Sequence, residues 1–204
     1  MKRVAVLVSG GGTNLQALLE SEARGENPNG KIVLVVASKP GVYALERAAN
    51  FGVESAVVAR KEYADSEAFD TALLQTLQSH RIDVVVLAGF LSVLGPRVIE
   101  AYRNRILNVH PSLIPSFCGP GFYGLRVHEA ALARGVKVTG ATVHLVNEIP
   151  DGGRILLQKA VDILPGDTPE TLQRRVMEQA EWVLLPRAVE QLAAHIAMEK
   201  EDHL

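Results

Sequence analysis

Short apolar runs alternate with longer amphipathic stretches through the first half of the chain. Several runs, such as Val-Ala-Val-Leu-Val at residues 4–8, are too uniformly apolar to leave one face in water, which is typical of a parallel sheet covered on both faces. This alternation predicts an α/β fold built of strand–helix–strand units. The predicted strands are residues 4–8, 32–37, 54–58, 84–88 and 106–109, and the predicted helices are residues 14–24, 43–51, 66–78 and 96–103.

The pattern changes in the second half. Residues 111–124 contain three prolines and three glycines, a composition that predicts a long loop. A helix is expected at about residues 127–134. Two further runs, residues 137–146 and 155–163, flank a turn and predict a pair of antiparallel strands added to the sheet in the C-terminal third.

The last part of the chain predicts a helix capped at its start by Thr168. Pro186 predicts a break or kink in it, after which a helical tail runs to about Lys200. Together these elements predict a single-domain, Rossmann-like, mostly parallel sheet with helices on both faces. Residues 1–204 would form this domain, in an N-terminal half of about residues 1–107 and a C-terminal half of about residues 108–204.

Composition and charge narrow the class of protein. The net charge of −2 over 204 residues argues against a broad basic surface for nucleic acid. The single cysteine, Cys118, excludes an internal disulfide framework and fits a reducing cytoplasm. The run at residues 4–8 is too short for a signal peptide, and no run approaches the roughly 18 residues of a membrane helix. We therefore expect a cytoplasmic enzyme with neither nucleic-acid nor membrane partners.

A glycine-rich loop, Ser9-Gly-Gly-Gly-Thr-Asn14, lies between the first predicted strand and helix. Ligands bind at the carboxyl ends of parallel strands, where a helix N-terminus offers N–H groups to an anion. The loop lacks the lysine of a P-loop, and Leu15 stands where a dinucleotide fingerprint has its third glycine. It therefore favours a single phosphate monoester over ATP or NAD; a tight turn without a ligand is the alternative.

Asn108 and His110 stand at the carboxyl end of the strand at residues 106–109. Side chains two apart in a strand share a face, so these two project together while Val109 points into the core. Asp151 begins an Asp-Gly-Gly turn. An amide donor beside a titratable imidazole, with a carboxylate to orient it, can transfer protons and stabilise an oxyanion.

Each of these three residues also has a structural interpretation. Asn108 could cap the loop, His110 could be a buried histidine bound to a carbonyl, and Asp151 could merely begin the turn. Their combination beside the glycine loop favours the functional interpretation.

A metal site and a cysteine nucleophile are weaker alternatives. The histidines are not at a short ligand spacing and there is no second cysteine, so no metal is expected. No local signature marks Cys118 as a nucleophile. The metal ligands considered are His110, His128, His144 and Asp151.

Five motifs together resemble the phosphoribosylglycinamide formyltransferases, a folate-dependent family of purine synthesis. They are Ser9-Gly-Gly-Gly-Thr-Asn14, Val86-Leu-Ala-Gly-Phe90, Asn108-Val-His-Pro-Ser-Leu-Ile-Pro115, Thr142-Val-His144 and Asp151-Gly-Gly. The third motif marks the wider formyltransferase superfamily, and the glycine loop narrows the resemblance to the purine enzyme. The resemblance implies formyl transfer from 10-formyltetrahydrofolate, a co-substrate, to the amine of glycinamide ribonucleotide, with no tightly bound cofactor.

The resemblance also implies roles for individual residues. The catalytic set is Asn108, His110 and Asp151. The residues for the ribonucleotide and its phosphate are Gly11, Gly12, Thr13, Asn14 and Glu181. The residues for folate are Leu91, Ser92, Val93, Leu94, Asn108, Val146, Asn147 and Asp151.

The chain departs from the family pattern in three places. The loop at residues 116–126 is longer than the common form, Trp182 stands where a histidine is commoner, and Ser92 stands where an arginine is sometimes found. The aromatic residues of the long loop would form either a lid over folate or a subunit contact. The protein itself would be a monomer or a homodimer.

Other functions remain in competition. A formyltetrahydrofolate deformylase would hydrolyse the same folate but usually carries an extra N-terminal regulatory domain. A tRNA formyltransferase would be expected to carry a further C-terminal domain and a basic surface. A nucleotide-binding relative without catalysis is the alternative outside the enzymes.

Overall fold

The apolar runs form one seven-stranded sheet in the computed structural model, which describes residues 1–199. The strands are β1 (Lys2–Val8), β2 (Gly30–Ala37), β3 (Glu54–Val57), β4 (Val84–Leu87), β5 (Ile106–His110), β6 (Val138–Leu145) and β7 (Ile155–Asp162). The strand order is β3-β2-β1-β4-β5-β6-β7. Strands β1 to β5 pair in parallel, whereas β6 and β7 are added antiparallel. The predicted fold class is confirmed.

Helices cover both faces of the sheet. They are α1 (Thr13–Ala23), α2 (Tyr43–Asn50), α3 (Ser66–Ser79), α4 (Pro96–Ala101), α5 (Leu125–Arg134), α6 (Pro169–Val176) and α7 (Trp182–Glu199). One core, which includes Leu15 and Leu185, packs α1, α2, α6 and α7 against one face. A second core, which includes Phe69 and Leu73, packs α3 and α4 against the other. The central strands β1 and β4 are almost entirely apolar because both faces of the sheet are covered there.

The predicted break at Pro186 is wrong. Helix α7 continues through Pro186, which lies one turn after its start and is buried. The interruption falls earlier, in a π turn at Met177–Glu181 that separates α6 from α7. Residues 169–199 are helical without a gap, so Pro186 lies inside a long helical segment whose hydrogen bonding already changes at the π turn before it. The predicted tail end, Lys200, lies outside the described residues.

The predicted cap of the last helix is confirmed. The Thr168 hydroxyl accepts a hydrogen bond from the Thr171 N–H at 3.3 Å, and the Thr171 hydroxyl accepts one from the Thr168 N–H at 2.9 Å. A cap of this kind contributes about 1 kcal/mol. None of the helices within residues 1–199 has the length and apolar character that spanning a bilayer requires.

Candidate active site

The carboxyl end of β5 presents two polar side chains at the sheet edge. Val109 packs in the core between them, so Asn108 and His110 share the opposite face as predicted. Antiparallel pairing of β5 with β6 places His144 directly across from Asn108 and Thr142 across from His110. The sheet register therefore brings a second histidine to the site.

Asp151 reaches this edge from the turn between β6 and β7. It has a left-handed backbone conformation, with φ 54°, which Asp tolerates better than most residues. Two residues later, a side chain on Gly153 would place its Cβ 1.7 Å from the Leu145 carbonyl oxygen. Only glycine permits this close approach, and the turn thereby holds Asp151 against β5.

The Asp151 carboxylate lies at the centre of the site. Its Oδ2 accepts a hydrogen bond from the Gly119 N–H at 2.8 Å and lies 3.6 Å from His110 Nδ1. Its Oδ1 lies 3.5 Å from His144 Nε2 and 3.5 Å from Asn108 Nδ2. Burial alone would raise its pKa, but contacts with the His144 ring and the Gly119 N–H, and the charge of His110, together lower the pKa. Asp151 is thus held as a carboxylate.

The long loop at residues 111–124 contributes its backbone to the site. The Phe117 carbonyl accepts a hydrogen bond from His110 Nε2 at 2.8 Å. Both ring nitrogens of His110 therefore face acceptors, the arrangement that a protonated imidazole requires. Between Phe117 and Gly119, burial and then the Asp151 charge raise the pKa of the Cys118 thiol, which does not favour a nucleophilic role.

His128, on α5, is buried without exposure to solvent, and neither of its ring nitrogens has a hydrogen-bond partner within residues 1–199. Burial, with a smaller effect of His110, lowers its pKa from 6.5 to about 4. The folded state therefore favours neutral His128. The contribution of this residue to the free energy of unfolding is present in full above pH 6.5 and is lost as the pH falls towards 4.

Replacing His128 with phenylalanine is expected to make the free energy of unfolding depend less on pH between 6.5 and 4. The lowered pKa corresponds to about 3 kcal/mol, lost by the wild type between pH 6.5 and 4. Urea unfolding across that range measures the change. Replacing the exposed His195 with glutamine is the control and should leave the slope as in the wild type. An equal slope in H128F and the wild type would contradict this account of His128.

The glycine loop lies at the carboxyl end of β1, at the same sheet edge. Gly12 precedes α1 with φ 74°, and a Cβ there would lie 2.7 Å from the Ala44 Cβ. The loop is thus held against α2 and leaves the first N–H groups of α1 without helical partners. Arg47 supplies a cation that the sequence reasoning missed, since its Nε donates to the Gly11 carbonyl at 2.8 Å.

The loop also contacts the π turn at Met177–Glu181. Asn14 Nδ2 donates to Glu181 Oε2 at 2.7 Å, and both residues are buried. The Thr13 hydroxyl contacts Met177 Sδ at 3.8 Å. Burial, only partly opposed by the Asn14 hydrogen bond, raises the pKa of Glu181 from 4.5 to about 7.

Replacing Glu181 with glutamine is expected to stabilise the protein without ligand while weakening ribonucleotide binding. Because the folded pKa lies above the unfolded one, the wild type loses about 3 kcal/mol as the pH rises from 4.5 to 7. The variant lacks this loss and should show a higher Tm at pH 8, together with a raised KM for the ribonucleotide. A lower Tm than the wild type at pH 8 would contradict this expectation.

A cavity of about 180 Å³ adjoins the catalytic set. Six of the eight residues expected to bind folate line it: Val93, Leu94, Asn108, Val146, Asn147 and Asp151. The other two, Leu91 and Ser92, lie outside its lining. Leu91 is 67% exposed, and its N–H donates to the Ser9 hydroxyl at 2.8 Å.

The residues at the site include some that the sequence reasoning did not assign. His144 had a detectable signal, because it alternates with Thr142 at the end of an apolar strand. The backbone groups of Phe117 and Gly119 had none. Within residues 1–199, no three His, Cys, Asp or Glu side chains are grouped so that they could hold a metal ion.

Comparison with known proteins identifies relatives along nearly the whole chain. Residues 2–189 match the formyl transferase family. The chain is 40% identical over 198 residues to the trifunctional purine biosynthetic protein adenosine-3 of Drosophila melanogaster, covering 97% of this chain but 14% of that protein. It is 39% identical over 189 residues to the phosphoribosylglycinamide formyltransferase of Haemophilus influenzae, covering 93% of this chain and 86% of that protein.

Solved structures give the same result. The glycinamide ribonucleotide transformylase 1 of Symbiobacterium toebii superposes with a TM-score of 0.89 at 42% identity, covering 96% of this chain and 89% of that one. The phosphoribosylglycinamide formyltransferase of Brucella melitensis superposes with a TM-score of 0.86 at 42% identity, covering 95% of this chain and 96% of that one.

Proposed function

The chain belongs to the formyl transferase family, and from that premise we propose that it is a phosphoribosylglycinamide formyltransferase. It would transfer the formyl group of 10-formyltetrahydrofolate to the amine of glycinamide ribonucleotide in purine biosynthesis. One observation carries the proposal: the Asp151 carboxylate contacts His110, His144 and Asn108 at the sheet edge that also bears the glycine loop.

The catalytic set and the glycine loop lie at the same edge of the sheet, so both substrates would bind there. The ribonucleotide phosphate would accept hydrogen bonds from the backbone N–H groups of Gly11, Gly12 and Thr13, with Arg47 beside the loop. Asn14 and Glu181 would contact the remainder of the ribonucleotide. One end of the folate would enter the cavity of about 180 Å³ next to Asn108, which is too small for the whole molecule. The folate would be consumed in each turnover, so no tightly bound cofactor is needed.

Electrostatic stabilisation would be the first task of the catalytic set. Attack of the amine on the formyl carbon places negative charge on oxygen and positive charge on nitrogen. The Asn108 amide would donate an N–H to that oxygen, and a protonated His110 would add a charge-assisted bond. The second bond requires His110 Nε2 to release the Phe117 carbonyl, which it contacts at 2.8 Å.

Proton transfer would be the second task. Asp151 would stabilise the His110 imidazolium and help a proton to move, through water, from the attacking amine to the departing folate nitrogen. The route needs neither a metal nor a covalent intermediate. The cytoplasmic location and the choice between monomer and homodimer stay predictions.

Direct detection of the product tests the proposal. We expect the purified protein, given both substrates with a ¹³C-labelled formyl group, to yield formylglycinamide ribonucleotide carrying the label, identified by mass spectrometry. Labelled formate in place of this product would mean hydrolysis and would contradict the proposal. Unchanged substrates would indicate a binding protein without catalysis.

A further inference from the structure

His144 has a role in this site that its neighbours define. The residue is 1% exposed and faces Asn108 across the β5–β6 pairing. His144 Nδ1 lies 2.9 Å from the Leu145 carbonyl oxygen. A carbonyl only accepts hydrogen bonds, so Nδ1 must carry a hydrogen. The backbone of β6 thereby fixes the tautomer of the ring.

The other ring nitrogen then becomes an acceptor. In the neutral ring, Nε2 has a lone pair and no hydrogen. Asn108 Nδ2 lies 3.1 Å from it and donates a hydrogen bond to it. The opposite orientation of the Asn108 amide would place its carbonyl oxygen against the lone pair, so two acceptors would face each other in a buried site, which is unfavourable.

We propose that His144 is a positioning residue that fixes the orientation of the Asn108 amide, so that the second N–H of Asn108 is directed at the formyl oxygen. This inference rests on the proposed formyl transfer. The second N–H faces Asp151 Oδ1 at 3.5 Å, at the limit of a hydrogen bond. That hydrogen is therefore only weakly bound to Asp151 and stays available to a developing oxyanion.

The two histidines of the site, His110 and His144, differ in the hydrogen-bond partners of their ring nitrogens. His110 has an acceptor at each ring nitrogen, namely the Phe117 carbonyl and Asp151. His144 has one acceptor, the Leu145 carbonyl, and one donor, the Asn108 amide, with Asp151 Oδ1 at 3.5 Å as the nearest charged group. The two rings therefore differ in their partners: His110 faces an acceptor at each nitrogen, whereas His144 faces the Asn108 amide at one of its nitrogens.

Nitrogen NMR of the wild-type protein tests the tautomer directly. With ¹⁵N-labelled histidine at pH 8, we expect His144 to show a protonated Nδ1 and a bare Nε2. H144Q identifies the signal, because the resonance disappears from its spectrum. A protonated Nε2 in the wild type would overturn the proposal whatever the variants do.

Kinetics test the positioning role. Replacing His144 with leucine should lower kcat by about 10- to 100-fold with little change in either KM, because the donor is misplaced rather than removed. H144Q keeps an acceptor at the position of Nε2 and should recover most of the loss. Wild-type turnover in H144L would overturn the proposal.

A double-mutant cycle separates positioning from a purely structural role. N108A should lower kcat much less in the H144L background than in the wild type, since the amide is already misplaced there. An equal loss in both backgrounds would contradict the inference. Failure of the proposed function is distinguishable, because then the wild-type protein itself would form no formylated product.

Discussion

Replacing Asp151 with asparagine is expected to lower kcat by on the order of 1,000-fold while the protein remains folded and both KM values change little. The amide is almost the same size as the carboxylate, so the turn held by Gly153 should persist. It carries no charge, however, and cannot stabilise the His110 imidazolium. Steady-state kinetics with circular dichroism measure both outcomes.

The control for this change is Asp162→Asn. Asp162 lies at the end of β7 and is exposed, so the same chemical change there should leave turnover as in the wild type. Wild-type activity in the Asp151 variant would exclude the role we assign to its carboxylate. Loss of the fold would instead show that Asp151 is needed for structure.

Replacing Gly12 with valine is expected to raise the KM for the ribonucleotide by about 100-fold and that for folate far less. A β-branched residue is strained at φ 74°, and its Cβ would lie 2.7 Å from that of Ala44. The loop must shift, and the N–H groups facing the phosphate shift with it. A loss of about 3 kcal/mol in binding corresponds to this change.

Gly25→Val is the matched control for backbone strain. Gly25 has φ 76° after α1, and a Cβ there meets nothing within 4 Å, so the variant carries comparable strain away from the loop. It should lose stability yet keep both KM values. Equal increases in the two KM values of the Gly12 variant would contradict a phosphate role for the loop.

Two buried groups give the protein opposite dependences on pH. Neutral His128 contributes stability that is lost as the pH falls from 6.5 to 4, and Glu181 lowers stability as the pH rises from 4.5 to 7. The two effects oppose each other between pH 4.5 and 6.5. A substrate that contacts Glu181 would be expected to reduce the loss of stability that ionised, buried Glu181 causes. This is consistent with a binding rather than a structural role for that carboxylate.

Much of the fold was predictable because the spacing of apolar and polar residues along the chain indicates which residues are buried. The strands read from uniformly apolar runs match the sheet within two residues at each end. Pro186 predicted a break, yet residues 169–199 are helical without a gap and only the hydrogen bonding changes, at the π turn just before the proline. Local patterns cannot show which turn will change its hydrogen bonding.

The candidate site was predictable only where side chains carry the chemistry. Asn108, His110 and Asp151 stand out by residue type, and the structure brings them together. The Phe117 carbonyl and the Gly119 N–H do not, because any residue supplies the same backbone groups. His144 stands in the Thr142-Val-His144 motif, but its place beside Asn108 follows from the register of β5 against β6.

Formation of tetrahydrofolate from 10-formyltetrahydrofolate, followed by absorbance with and without glycinamide ribonucleotide, tests the central claim most directly. Our account predicts that the wild-type protein forms it only when the ribonucleotide amine is present, with one formylated ribonucleotide for each folate consumed. Release at the same rate without the amine would indicate a hydrolase, and no release in either case a binding protein. Either result would contradict the account.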